Sequence, residues 1–178
     1  MNPLDIIAKY YPVGSEAYRI LVIHSRSVAD KALAIARMHP EMNLDLTFVE
    51  EAAMLHDIGI FRCNAPDIDC HGDAEYICHG YLGAELMRAE GYPRHARVCE
   101  RHTGTGITLA MIEERGLPLP HRDFMPETLE EQLICYADKF YSKTKLDKEK
   151  SVEKVKQGLS KYGNETCLLY TSPSPRDR

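Results

Sequence analysis

The sequence predicts an all-α fold, a bundle of about six or seven helices, and three observations carry that expectation. Apolar residues recur at three- and four-residue intervals through most of the chain, and no segment of strand length alternates apolar with polar. Pro and Gly separate the periodic stretches. Two Thr-x-x-Glu capping boxes, at residues 47–50 and 128–131, mark helix starts.

The first long helix is expected over residues 15–39, where Ile20, Leu21, Val28, Ala32 and Ile35 form one stripe and Pro40 forbids continuation. His24 lies on that stripe, four residues from Ile20 and four from Val28. The capping box at Thr47 starts a second helix whose stripe, Val49, Ala52 and Ala53, continues into His56; the run Ala-Ala-Met-Leu-His56-Asp57-Ile-Gly59 is stopped by its glycine. Residues 61–75 have no period and read as a loop forming the rim of a site. A third helix, about residues 76–90, aligns His79, Leu82, Gly83 and Leu86 and ends at Gly91 in a left-handed cap. Pro93 opens a fourth, with His95, Val98, Cys99 and His102 on one face, broken by Thr103-Gly104-Thr105-Gly106. A short helix over 109–115 leads to the Pro-rich loop 116–123, a second rim. The box at Thr128 opens a helix running through Ile134, Asp138, Phe140 and Tyr141. A last amphipathic helix, residues 148–162, is expected to pack at the periphery through Val152, Val155 and Leu159.

At 178 residues the chain suits one domain, and 44% apolar with 28% charged residues is ordinary for a globule. No apolar run approaches a membrane span, and the start Met-Asn-Pro-Leu-Asp lacks the basic and apolar regions of a signal peptide, so a cytoplasmic protein without membrane insertion is expected. The six cysteines contain no C-x-x-C pair, and most read as small core residues. A net charge of −5 gives no footprint for a nucleic-acid duplex, and a small ligand fits better. Residues 167–178 look like the translation of a sequencing-library adapter. They are set apart from a domain at 1–166 whose natural C-terminus is expected to be missing.

An imidazole beside a carboxylate at a buried helix end is destabilising by several kcal/mol unless each is hydrogen-bonded or bound to a cation. Taken alone, His56-Asp57 reads equally as a core histidine with a capping aspartate. The rest of the chain favours a cation: His24, His56, Asp57, His79, His102 and Asp138 all fall on inner rows or inner ends of five expected helices. Facing helices of a bundle are a recurrent frame for metal sites. Nitrogen and oxygen donors without thiolate suit Fe, Mn, Zn or similar ions. Six ligands exceed one tetrahedral zinc, whereas two ions roughly 3.5–4 Å apart, bridged by a carboxylate, would use them all.

His24, His56-Asp57 and Asp138 match the H…HD…D signature of the HD-domain phosphohydrolases, with residues 55–59 in their "HDIG" form. His79-Gly80, His102-Thr103 and Tyr136-Ala137-Asp138-Lys139 resemble the binuclear branch, which includes bacterial symmetrical dinucleoside tetraphosphate hydrolases. The resemblance spans about residues 21–141. It departs where many HDIG proteins carry Lys after the glycine; here Ile60 and Phe61 follow, and a cation that could meet phosphate is missing.

The resemblance implies an HD-domain helical bundle in which His24, His56, Asp57 and Asp138 hold one divalent ion. His79 and His102, with Asp57 bridging, hold a second. Iron comes first among the candidates, then manganese, zinc or another ion. His56 and Asp57 become the catalytic pair, and a water shared by the ions becomes hydroxide near neutrality and hydrolyses a phosphoester or phosphoanhydride. The implied partner is a small phosphorylated substrate such as a nucleotide, a dinucleoside polyphosphate most specifically. A cyclic nucleotide phosphodiesterase and an inactive nucleotide-binding regulatory module stay open. Lys139, Lys143, Arg62, Arg122 and His71 are candidates for substrate contact, against an ordinary reading as solvated surface charge. His39, His95 and His121 extend no inner row as well as the six do.

Overall fold

A computed structural model describes residues 1–160 of the chain. Among them are eight α-helices: α1 (Pro3–Tyr10), α2 (Glu16–Met38), α3 (Leu46–Leu55), α4 (His79–Ala89), α5 (Pro93–Arg101), α6 (Leu109–Arg115), α7 (Leu129–Asp138) and α8 (Val152–Ser160). The fold is the expected all-α bundle. The tail expected at 167–178 and the end of the last helix lie outside the described residues.

Helix α2 is the spine. Its N-terminal half packs through Ile20 and Leu21 into a core shared with Ile6, Ile7, Leu55, Ile58 and Met87. Its C-terminal half packs through Val28, Ala32 and Leu33 into a second core with Phe48, Val49, Ala52 and Ile134. His24 stands where the two meet. The helix is capped by Ser15, whose side chain accepts from Tyr18 N, and α3 and α7 lie along it.

Several expectations need correction. Helix α1 makes eight helices rather than six or seven; at two turns it is too short for a period to show, but Asn2 caps it, Pro3 starts it, and Ile6 and Ile7 are buried. Helix α3 begins at Leu46, not at a Thr47 box, because the Asp45 carboxylate accepts from Phe48 N at 3.0 Å and caps the helix first. Helix α7 ends at Asp138 rather than at Tyr141. The loop after α3 holds a two-stranded antiparallel hairpin, β1 (Asn64–Ala65) and β2 (Cys70–His71), too short for any alternation to be read. Residues Tyr76–Cys78 form a 3-10 turn, so the helix proper starts at His79. Helix α8 starts at Val152 instead of 148.

Gly59 does not end α3 by a left-handed turn. It lies in a 3-10 turn, Ile58–Arg62, that follows Asp57. A Cβ on it would fall 2.3 Å from His79 O and 2.4 Å from Gly83 N, so its lack of a side chain lets this turn rest on the backbone of α4. Gly80 does the same one helix further on, where a Cβ would fall 2.5 Å from Cys99 O in α5. Tyr11, at the end of α1, braces the turn by donating its hydroxyl to Ile58 O at 2.7 Å. The expected Gly91 cap of α4 (φ +87°) and the Thr128–Glu131 box of α7 are both present. The five described cysteines are buried.

Candidate metal centre

Three histidines reach the middle of the bundle from helix ends by one local device. His56 and His102 are the C-terminal caps of α3 and α5, and His79 is the first residue of α4. Each turns its ring back on the carbonyl three residues earlier: His56 Nδ1–H donates to Ala53 O (2.6 Å), His79 Nδ1–H to Tyr76 O (2.7 Å) and His102 Nδ1–H to Cys99 O (2.7 Å). A carbonyl only accepts, so in each neutral ring the single proton sits on Nδ1 and Nε2 presents a lone pair. His24 adds its Nε2 from the middle of α2.

The Nε2 atoms and two carboxylates then meet. His24 Nε2 lies 3.1 Å from Asp57 Oδ2 and 3.0 Å from Asp138 Oδ1, and His56 Nε2 lies 2.9 Å and 3.2 Å from the same two oxygens. On the other side, His79 Nε2 and His102 Nε2 lie 3.2 Å and 3.1 Å from Asp57 Oδ1 and 3.0 Å from each other. Asp57 is completely buried and shared by both groups. Its Oδ2 receives no hydrogen bond of acceptable geometry, although Lys143 Nζ stands at 2.7 Å. All six residues singled out as metal-capable are therefore in one place, and one donor atom from each member of either group falls within 4.8 Å of the others.

The electrostatics match that crowding. Burial would raise Asp57, but His56 and Lys143 outweigh it and hold the carboxyl well below the usual carboxylate range. Burial is likewise overcome at Asp138 by Lys139 and His24. The His56 imidazole, which burial alone would lower, is lifted by the two carboxylates to about 10, whereas burial wins at His102 and pushes it down to about 4. Imidazole nitrogens and carboxylate oxygens converging in this way form a donor set that suits divalent cations, which would displace the proton on His56, and backbone bonds to Nδ1 are one usual way to orient imidazole ligands.

Asp138 opens on a cavity of about 410 Å³ lined also by Tyr76, Lys139, Lys143 and Lys150. Lys139 Nζ donates to Asp138 Oδ2 (3.0 Å) and His102 O (2.7 Å). Lys139 and Lys143 both line this cavity just beyond the C-terminal end of α7, where Lys139 pairs with Asp138 and Lys143 with Asp57. The other three substrate candidates have different partners. Arg122 holds buried Glu100 at 3.0 Å and lies over the Phe124 ring, exposed Arg62 faces Glu85 at 3.6 Å, and His71 bonds Asp69 at 3.0 Å; none of the three lines this cavity. The sequence reading missed Tyr76, whose ring stacks on His79 with centroids 4.5 Å apart. Its position three residues before a candidate ligand was the available signal. The loop 61–75 does reach the rim through Ala65, Asp67 and Ile68.

Comparison with known proteins adds relatives of two kinds. The chain is 32% identical over 163 residues (91% of its length) to a tRNA (cytidine(56)-2'-O)-methyltransferase of Thermoplasma volcanium. It is 32% identical over 146 residues to a protein of the same name from Picrophilus torridus. It spans only 41% and 36% of those two proteins. An uncharacterized protein of Methanocaldococcus jannaschii is 37% identical over 128 residues, 70% of this chain and 68% of that one. These organisms are archaea, where the sequence resemblance pointed to a bacterial branch. No solved structure matches. Residues 21–142, which contain every member of the cluster, match the HD domain, and the chain belongs to the HD domain family.

Proposed function

We propose that the chain is a metal-dependent phosphohydrolase that cleaves a phosphoester or phosphoanhydride of a nucleotide or other small phosphorylated metabolite. In this reading His24, His56, Asp57 and Asp138 hold one divalent ion, and Asp57, His79 and His102 a second. Iron is the first candidate, with manganese or zinc as alternatives. The observation that carries it is the pair His79–His102: two Nε2 atoms 3.0 Å apart whose Nδ1 protons are both committed to carbonyls, an arrangement a cation between them would stabilise. Ions bound there would lower the pKa of water and offset charge building on phosphoryl oxygens.

The chain's own residues do the remainder. Lys139 fixes the Asp138 carboxylate, and Lys143 and Lys150 line the approach, so a chain of net charge −5 turns a cationic cavity toward an anionic substrate. Tyr76 walls the approach beside His79. A second reading has specific support: two relatives are named for tRNA, which favours an RNA-derived phosphodiester, including a cyclic nucleotide, as substrate.

The test is metal analysis of purified protein, followed by phosphate release or ring opening across nucleotides, dinucleoside polyphosphates and cyclic nucleotides with Fe, Mn, Zn and Mg each supplied. Asp57→Ala, which removes the carboxylate common to both groups, is expected to lose metal and turnover together. Metal-dependent hydrolysis persisting in that variant would defeat the assignment. A metal-loaded protein that binds nucleotides and hydrolyses none would establish a regulatory module instead.

A further inference from the structure

A second cavity, of about 540 Å³, adjoins the first and shares Tyr76, Lys139 and Lys150 with it. None of the six clustered residues lines it. Its size falls in the roughly 300–1,000 Å³ range of pockets that bury one compact organic ligand. The body of the cavity is apolar, walled by Ile77, Ile107, Met111, Leu117, Val155 and Leu159. Helix α8 closes one side. Expected to be peripheral, it buries Val155 and Leu159 against Phe140 and presents Lys154 and Gly158, one turn apart, to the cavity.

The charges around this apolar space are all of one sign. Arg115, Lys139, Lys150 and Lys154 line it and no Asp or Glu does, in a chain whose 27 acidic residues outnumber 22 basic ones. Lys139 is engaged with Asp138, but no carboxylate among the described residues pairs with Arg115, Lys150 or Lys154. Arg115 and Lys154 line this cavity and not the one on which Asp138 opens. Both are exposed. Long basic side chains lay their apolar stems along a wall and keep the charged end toward water, so these two border the apolar space and still meet an anion at its mouth.

The walls and the charges constrain an occupant separately. An apolar body gains by leaving water for the aliphatic walls, and a set of cations with no acid among them attracts a negative group and repels a positive one. Inorganic phosphate or a sugar phosphate would answer the cations and leave the walls facing polar groups. A neutral lipid would answer only the walls, and an apolar amine would be repelled.

We propose that this cavity binds an amphipathic organic anion, an apolar body with one acidic head, the body among Ile107, Met111 and Val155 and the head at Arg115 and Lys154, away from the metal centre. The site is separate from the substrate cavity and does not rest on the phosphohydrolase reading. Its occupant would touch Tyr76 and Lys139, the wall that the two cavities share.

Titration calorimetry of the full chain tests it, with a chelator present so that no ion of the central cluster can take a carboxylate. The probes are decanoate and 1-naphthoate, an aliphatic and an aromatic acid, with decylammonium and acetate to isolate the charge and the apolar body. One molecule of decanoate, of naphthoate or of either is expected to bind per chain, at least about tenfold more tightly than decylammonium or acetate. Gly158 carries open space where a Cβ would be, so Gly158→Phe intrudes on the cavity while replacing a poor helix former, and it should weaken the bound acid by about tenfold. The double variant Arg115→Glu, Lys154→Glu alters two exposed side chains outside the core; it should lose the acid to the same extent and bind decylammonium more tightly than wild type does. Neither acid binding, as when a second copy of the chain covers the cavity, would overturn the site. So would acetate or decylammonium matching the better acid, several acids bound per chain, or acid binding untouched by either variant.

Discussion

His95 shows how differently one imidazole behaves once it leaves the central cluster. It is buried against the edges of Phe48 and Tyr92, and its Nε2 bonds Glu51 at 2.9 Å, while Glu51 is also paired with the chain's amino terminus. Burial pushes the His95 imidazole down, and the Glu51 hydrogen bond only partly offsets it. A depressed folded value means that the unfolded chain takes up the proton first. The stabilisation from neutral His95 is therefore complete above the ordinary value of 6.5 and lost as the pH falls below it. Thermal melts of His95→Gln should show a shallower fall in Tm between about pH 7 and about pH 5 than wild type; parallel profiles would remove His95 from the titration. His24, His56, His79, His102 and Asp138 were legible because each lies on an apolar row of its expected helix, and Asp57 because it follows His56 at that helix's inner end. Tyr76 was not, since a residue in a 3-10 turn has no period to betray its direction.

At the level of elements, the strongest prediction concerns the contact of the 3-10 turn after α3 with α4. Gly59→Ala would set a methyl group 2.3 Å from His79 O, and backbone on both sides must move. Overpacking of this kind is destabilising by about 1–3 kcal/mol. The displacement separates Asp57 from His79, so metal analysis of the variant should show a larger loss from the Asp57–His79–His102 group than from the group containing His24. Equal loss from both would show that the turn does not set their spacing. Long helices and their boundaries followed from the sequence because Pro40, Gly91 and Pro93 interrupt strong periods. The starts were harder: the Thr-x-x-Glu pattern points to Thr47, whereas the Asp45 carboxylate accepts from Phe48 N and starts the helix two residues earlier. Helix α1 has no heptad to read, and the short hairpin exists because Asn64 and Ala65 pair with His71 and Cys70 across a 3-10 turn rather than from strand propensity.

At the scale of the whole molecule, two hydrophobic cores flank a polar seam that crosses α2 at His24. No helix of the described residues is long and apolar enough to cross a membrane. A ligand that binds only the folded chain stabilises it by mass action, by about 2.7 kcal/mol at a hundred times its dissociation constant. Protein stripped with a chelator should therefore gain in Tm when Mn²⁺ or Fe²⁺ is restored, and Asp57→Ala should gain nothing; a melt indifferent to metal would mean that the seam is held by its own ion pairs. The fold and the meeting of the six residues could be read from the sequence. The cavities could not, because they are bounded by loops and by α8, whose placement depends on contacts between residues far apart in sequence.

The seating of Gly59 on the main chain of His79 and Gly83 has one more effect. With no side chain in between, there is no rotamer to flex, and the gap between the two halves of the seam would act as a ruler rather than a spring. Ions of different radius, if held there, would be told apart by how well they suit that length, so selectivity among metals would be written in the glycines and not in the histidines.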